Sequence, residues 1–232
     1  MENNYFSEER YEDKFLLKCQ PFNLNIKKIF KENRLEKVHQ DNCINNLYFD
    51  TKNFEFYSNH IEGSIDRYKI RLRWYTYSEY KQGEYYLEYK RRINKKTIKY
   101  KIKIPIRGLD ELTNQLMRDS LNTIIANNNL YPVQNNLKPI LFNSYNRSYF
   151  SDKDNNNRIT LDSNMSFSKA SLSLKPIYFQ NINYKIIEHK YGKKNNKSKI
   201  NQNKIERLKK VNFSKYIFGF IHTRKPLVSS IY

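Results

Sequence analysis

The sequence predicts an α+β fold made mainly of antiparallel strands, with the charged residues of many strands gathered on one face. Three observations carry this. Ionisable residues recur at i, i+2 or i, i+2, i+4 in at least six segments, with aliphatic or aromatic residues between them, which is the period of a strand. Aromatic residues make up 15% of the chain, with 20 Tyr and 14 Phe, so a core can form although 28% of the residues are charged. No fixed repeat and no linker interrupts the pattern, so residues 1–232 read as one domain.

The elements follow in order. Arg10 to Leu17 alternates, with Arg10, Glu12 and Lys14 on one face and Tyr11 and Phe15 on the other. Pro21 ends it, and Phe22, Ile26, Ile29 and Phe30 have helical spacing up to Glu32. Ile44 to Thr51 is a second strand, followed by a helical turn around Phe54 to Tyr57. After Gly63, the run Arg67 to Trp74 puts Arg67, Lys69, Arg71 and Arg73 on one face and Tyr68, Ile70, Leu72 and Trp74 on the other. Four like charges in a row repel, so this face needs solvent or an anion against it. Gly83 marks a hairpin turn before Glu84 to Arg92, where Tyr86, Glu88 and Lys90 share a face. Thr97 to Ile104 presents Lys99, Lys101 and Lys103 on one side, which suits either a solvated face or a guide for an anionic product.

Leu109 to Asn127 has the spacing of a helix, with Asp110 and Glu111 near its start. Strands resume at Ile140 to Phe150, with Tyr145, Arg147 and Tyr149 on one face, and at Arg158 to Asp162 after a turn. Tyr184 to Tyr191 sets Ile186, Glu188 and Lys190 on one face and His189 on the other. Gly192 to Asn203 is a basic, Asn-rich run of low complexity. Ile205 to Val211 fits a short helix, and Phe213 to Phe220 closes the fold before a tail. Charged faces of mixed sign on this many strands suit a closed barrel with a polar lumen. An open sheet with a solvated, salt-bridged face gives the same pattern, and the periodicity does not choose between them.

Composition narrows the partners. Lys and Arg number 43 against 23 Asp and Glu, a net charge of +20, which calls for a polyanion: nucleic acid, an anionic membrane surface, or phosphate-rich small molecules. The five glycines form neither GxxxxGK[ST] nor GxGxxG, so phosphate must be held by side chains, the Arg fork and the Lys point charge. The inward carboxylates have the right donor atoms for a hard divalent cation. The four His show no metal-pair spacing and no Ser-His-Asp arrangement; His39, His60 and His222 read as surface residues. Cys19 and Cys43 suggest neither a zinc site nor a disulfide framework, and thus a reducing compartment. A polar start and apolar runs too short to span a bilayer point to a cytoplasmic protein, with any membrane association through a partner.

At this point the motifs resemble a known family. Arg10-x-Glu12-x-Lys14-Phe15, Leu47-Tyr48-Phe49-Asp50-Thr51, Arg71-x-Arg73 and Glu88-x-Lys90-Arg91 match the N-terminal half of the VTC-type polyphosphate polymerase domain, of the triphosphate tunnel metalloenzymes in the CYTH-like superfamily. Pro139, Tyr145-x-Arg147, Arg158-x-Thr160-x-Asp162, Glu188-x-Lys190-Tyr191 and Ser214-Lys215-Tyr216 match its second half, so the order agrees over nearly the whole chain. The resemblance, not the periodicity, implies a closed eight-stranded antiparallel barrel with helices packed outside.

It also implies an activity: transfer of the γ-phosphoryl of ATP to a growing polyphosphate chain. By resemblance, Lys14, Arg71, Arg73, Lys90, Arg147, Arg158 and Lys215 are the catalytic cations of the tunnel. Arg10, Glu12, Tyr145, Lys190 and Ser214 contact substrate, and Glu188 holds Mn2+ or Mg2+. Arg67 and Lys69 lie toward the rim, Glu12 and Glu88 also suit a role as ion-pair partners, and Tyr48 and Trp74 suit core packing. The expected partners are ATP and polyphosphate, with no nucleic acid; the sequence sets no oligomeric state. Two other readings remain: a tripolyphosphate or nucleoside triphosphate hydrolase on the same fold, and a non-enzymatic polyanion (RNA) binding module. The chain has neither the sensor nor the transmembrane regions of the eukaryotic proteins, and resembles the stand-alone microbial ones. His189 stands where the family usually has an apolar residue.

Overall fold

The computed structural model describes residues 10–18, 30–78, 81–94, 96–128, 130, 137–153, 157–171, 174–177, 179–192 and 209–224. Its strands are β1 (Arg10–Lys18), β2 (Glu36–Asp50), β3 (Asp66–Ser78), β4 (Lys81–Gln82), β5 (Tyr85–Ile93), β6 (Lys96–Ile104), β7 (Lys138–Ser151), β8 (Asn157–Lys169), β9 (Gln180–Ile182), β10 (Tyr184–Gly192) and β11 (Lys209–Lys210). The helices are α1 (Glu55–Ile61), α2 (Asn114–Asn127) and α3 (Lys215–Arg224).

All strand pairs are antiparallel and belong to one eleven-stranded sheet, in the order β11-β1-β10-β8-β7-β2-β3-β5-β6, with β4 on β3 and β9 on β8. This corrects the expected closed eight-stranded barrel. Among the described residues β6 and β11 are edges that do not pair with each other, so the sheet curls around its charged face without closing. Short partial strands account for the higher count. The two-residue β11 takes the outer edge of β1, pairing at Phe15 and Leu16, and ends that side of the sheet.

The uncharged face is covered in two places. Leu47, Ile70, Leu72, Trp74, Leu87 and Tyr89 pack against Met117, Leu121 and Ile124 of α2. Leu17, Ile159 and Ile187 pack with Phe30 and Leu35. Helix α2 begins later than its sequence spacing predicts. Leu109–Glu111 form a 3-10 turn, and the Thr113 side chain then accepts the Leu116 N–H at 3.0 Å and caps a new helix.

Helix α3 corrects the expectation that helices lie only outside. Its Tyr216 and Phe220 join Ile44, Tyr48, Tyr145 and Ile186, which belong to the charged face. Gly219 permits this approach, because a Cβ there would collide with Phe167 and Leu141. The helix is pinned by Asp50, fully buried at the end of β2. Asp50 accepts the N–H groups of Thr51, Phe56 and Tyr57 at 2.7–3.0 Å and the hydroxyl of Tyr216.

Other expectations change at element ends. The helix predicted over Ile205 to Val211 gives way to β11 at Lys209–Lys210, its first residues lying outside the described set. Of the helix predicted over Phe22 to Glu32 only Phe30–Glu32 is described, and it is helical. Most of the basic run from Gly192 to Asn203, Cys19 and the side chain of Arg10 also lie outside the described residues. No described helix is long and apolar enough to cross a membrane.

Candidate phosphate-binding cavity

Strand alternation aims the charged positions at the hollow of the curl, and the register stacks them in rungs. Tyr48 stands opposite Arg71, and Arg71 opposite Glu88. Across the other wall Arg147 stands opposite Asp162, and Glu188 lies between Thr160 of β8 and Lys14 of β1. A cavity of about 220 Å3 results. Nine cations line it, Lys14, Lys69, Arg71, Arg73, Lys90, Lys99, Arg147, Lys190 and Lys215, with only three carboxylates, Glu12, Glu88 and Glu188.

Each arginine is oriented by a partner beside the cavity. Glu88 Oε2 accepts from Nε and Nη2 of Arg71 at 2.9 and 2.6 Å, while Arg71 Nη1 donates to the Tyr48 hydroxyl at 3.1 Å. Arg73 donates from Nε to Asn46 at 2.9 Å and lies 3.4 Å from Glu88. Arg147 forms a two-bond fork with Asp162 at 2.6 and 2.8 Å, and Asp162 also accepts from Lys215. Such bidentate pairs fix the plane of a guanidinium. Burial alone would raise the Asp162 carboxyl, but Lys215 and Arg147 hold it below its ordinary pKa. The same contest, won by Arg71 and Arg73, keeps Glu88 ionised.

Glu188 differs. Its carboxylate is 2.8 Å from Lys190 Nζ and 3.7 Å from Arg147, whose fork Asp162 already holds. Burial opposes its charge, yet Lys190, Arg147 and Lys14 keep its pKa well below normal. Among the described residues no three His, Cys, Asp or Glu form a metal cage. That donor set still fits Mg2+ or Mn2+, hard ions that keep several waters and take one or two carboxylates plus substrate phosphates. Glu188 would hold such an ion, with Glu12 the other candidate.

The lysines show an excess of positive charge. Lys69 lies well below its ordinary pKa, through burial first and then Lys90, Lys14 and Arg71. Burial likewise lowers Lys90 and brings the half-exposed Lys99 down to about 8, against the pull of Glu88. Lys14 instead is raised, since Glu12 and Glu188 outweigh its burial. Tyr145 is fully enclosed. Burial raises its phenol, but Arg147, Arg73 and Lys215 prevail and lower it.

The structure brings together eleven of the residues singled out in the sequence: Lys14, Arg71, Arg73, Lys90, Arg147, Lys215, Glu12, Tyr145, Lys190, Ser214 and Glu188. Arg158 is the exception among the described side chains. It is exposed, opposite Lys190 on the sheet, and is not in the lining. Lys69 and Lys99, read as rim or solvated face, line the cavity, and Lys69 donates to Ser214 at 3.0 Å. Tyr48 does two jobs, stacking on Tyr216 and bonding Arg71. His189 faces away from the cavity as expected but is buried, bonding Asn157 at 2.9 Å.

Comparison with known proteins bears on the family and the fold. The VTC-domain family model matches residues 9–222. A putative adenylyl cyclase from Hippeastrum, described as having a dominant triphosphatase activity, superposes with a TM-score of 0.52 at 12% identity, over 94% of this chain and 99% of that one. A putative adenylate cyclase from Bacillus halodurans gives 0.50 at 14% identity, over 92% and 97%. Both share the fold. No curated protein matches the chain.

Proposed function

The chain belongs to the VTC-domain family, and from that premise and the charge of its cavity we propose an ATP-dependent polyphosphate polymerase. The observation that carries the proposal is the nine-to-three excess of cations over carboxylates lining one cavity. Neutral ligands and lone carboxylates would leave most of that charge uncompensated, whereas a run of phosphates matches it.

The reaction asks little covalent work of the protein. An ionised oxygen at the end of the acceptor chain attacks the γ-phosphorus of ATP in line, the bond to the β-bridging oxygen breaks, and ADP leaves. The acceptor is already anionic, so no strong general base is required. Arg71, Arg73, Arg147 and Lys215 hold the transferring phosphate and its neighbours, while Lys14 and Lys90 neutralise the charge that spreads over equatorial oxygens. The carboxylates Glu88 and Asp162 keep the arginine forks in place beforehand, so no reorganisation is needed during transfer. Glu188 would hold a divalent ion, which would add to the neutralisation of phosphate charge supplied by the cations. On this reading the protein works in the cytoplasm, where ATP is supplied.

Hydrolysis on the same fold has one observation in its favour. Glu12 has a third of its side chain exposed and, among the described residues, forms an ion pair only with Lys14, at 2.9 Å, so it could turn to orient a water. One assay separates the two. Purified protein is incubated with ATP and Mn2+ or Mg2+, and long-chain polyphosphate and free phosphate are both measured. Long chains lost on Arg73→Ala support the proposal; free phosphate without chains replaces it with hydrolysis.

A further inference from the structure

One end of the curled sheet is built from the last residues of β2, β5 and β8 and the first of β3 and β7. The register places them together: Asp50 pairs with Lys138, Asp66 with Ile93, and Leu141 with Lys169. Helix α1 joins β2 to β3 here, and the chain leaves β8 here on its way to β9. Four large apolar side chains stand exposed at this end: Ile61 at 55%, Ile65 at 65%, Ile177 at 63% and Phe179 at 40%. The backbone beside them is tied down. The Ile65 carbonyl accepts the Asn94 N–H at 2.9 Å, and the Ile177 N–H donates to the Lys169 carbonyl at 3.1 Å. Phe179 precedes Gln180, which pairs with Phe167 near the end of β8. The turn from α1 to β3 passes through Gly63 at φ 73°, where a Cβ would meet nothing within 4 Å, so this turn stands clear of the sheet.

Lys52, Arg92, Lys96, Lys138, Lys169 and Lys175 are exposed at the same end. Among the described residues of these segments the exposed acid is Glu62, while Glu55 is half-buried and Asp66 is taken by Arg91 at 2.6 Å. The opposite end is balanced differently: Lys37 pairs with Asp41 at 3.0 Å, and Lys103 pairs with Glu84. A single exposed isoleucine needs no explanation. Four apolar side chains set singly on turns, among six cations, do. A protein interface has a continuous apolar centre and is depleted in lysine. An anionic bilayer matches both parts of this surface: apolar side chains reach the acyl boundary, and the cations meet the charged headgroups.

We propose that this end of the sheet docks on an anionic lipid bilayer, with Ile61, Ile65, Ile177 and Phe179 entering the headgroup region and the surrounding lysines facing lipid headgroups. The contact is peripheral and reversible. A few apolar side chains alone bind a membrane marginally, and each cation near an anionic surface adds about fivefold. The two together hold the protein only where hydrocarbon and negative charge are both offered. None of these side chains lines the cavity, so the inference stands whether the protein makes polyphosphate or hydrolyses a triphosphate.

The test is flotation of the full chain with two kinds of vesicle, phosphatidylcholine alone and phosphatidylcholine mixed with phosphatidylglycerol. The wild type floats with the mixed vesicles, stays behind with the neutral ones, and is released as salt is raised. Ile65→Ser combined with Ile177→Ser lowers the partition coefficient on mixed vesicles at least tenfold. Lys138→Gln combined with Lys169→Gln lowers it about thirtyfold and weakens the salt dependence. Val38→Ser, an exposed apolar position at the opposite end, leaves it unchanged. All five positions are exposed, and thermal melts check that each variant folds; should the isoleucine pair fail, Ile65→Ser alone reads the same coefficient with a smaller drop. A wild type that floats with neither vesicle overturns the proposal and leaves an acidic protein surface as the occupant of this end. Flotation that is undiminished in the folded isoleucine and lysine variants also overturns it, because the cavity cations would then be what the lipid meets.

Discussion

Glu88 and Glu188 line the same cavity from different walls, and both are buried among cations. Their partners set them apart. Glu88 takes the Nε/Nη2 edge of Arg71 and lies near Arg73 and Lys99. Glu188 faces a similar crowd, but Asp162 has already taken the fork of Arg147, which leaves Glu188 with the flexible ammonium of Lys190 at 2.8 Å. A carboxylate locked into a guanidinium is part of the frame; one held by a lysine can exchange that partner for a metal ion. On the proposed function the difference gives the second wall two acids with divided work, Asp162 for the frame and Glu188 for exchange.

The largest effect separates frame from exchange. On the polymerase reading Glu188→Ala lowers chain synthesis about a thousandfold, equivalent to about 4 kcal/mol of transition-state stabilisation, while urea unfolding shows a smaller loss of stability than Glu88→Ala. Glu88→Ala leaves Arg71 and Arg73 buried without their acid and costs about 3–5 kcal/mol of folding stability. Equal losses of stability in the two variants would erase the distinction. Asp162→Asn belongs with the Glu88 class and costs about 3 kcal/mol, because Arg147 and Lys215 both lose their counter-charge.

How much of this was legible follows from where each partner lies in the chain. Arg71, Arg73, Lys90 and Glu88 sit on strands whose alternation is strict, so their common face can be read from spacing alone. The resemblance supplied roles, and the structure gathers most of those residues in one place. Closure was not legible, because it depends on whether two edges meet, and neither β6 nor β11 carries a signal for that. Asp162 stands in the family motif, but the sequence assigns it no role. Its second partner, Lys215, is 53 residues away on a helix. That helix was itself hidden, since Phe213 to Phe220 is dense in aromatics and contains Gly219, which lowers helix propensity. Only the tight contact with Phe167 and Leu141 explains the glycine. Strand β8 continues past Asp162 to Lys169, but an irregularity opposite Ser144 and Asn146 breaks its alternation where the sequence pattern fades.

A subtler effect concerns proton balance. Lys69, Lys90 and Lys99 have lowered pKa values in the folded protein, so above about pH 8 the unfolded chain binds more protons than the native one. Stability of the ligand-free protein therefore rises between pH 7 and 9. Saturating tripolyphosphate keeps these lysines charged and flattens the rise, and its binding takes up protons near pH 8. Thermal melts with and without the anion check the first point; titrations in buffers of different ionisation enthalpy check the second. Lys99→Gln should remove part of the slope. A ligand-free protein that instead loses stability over this range contradicts the arrangement of these lysines on the Glu88 wall.

The smallest effect tests the residue that joins the two walls. Among the described residues the Tyr145 hydroxyl accepts one long bond, 3.5 Å from Arg73, yet its ring lies 5.3 Å from the Arg147 guanidinium and 4.5 Å from the Lys215 ammonium. The hydroxyl thus contributes little, and the ring face contributes more, as a cation–π surface in a dry site. Tyr145→Phe keeps the ring and costs under about 1 kcal/mol in stability. Tyr145→Leu removes both, and costs about 2 kcal/mol more because the cations lose the ring face and the packing against α3. If Phe is as damaging as Leu, the phenol is the working part. In that case the hydroxyl, and not the ring, is what sits between Arg73 and Arg147, whose charges lower its pKa against burial.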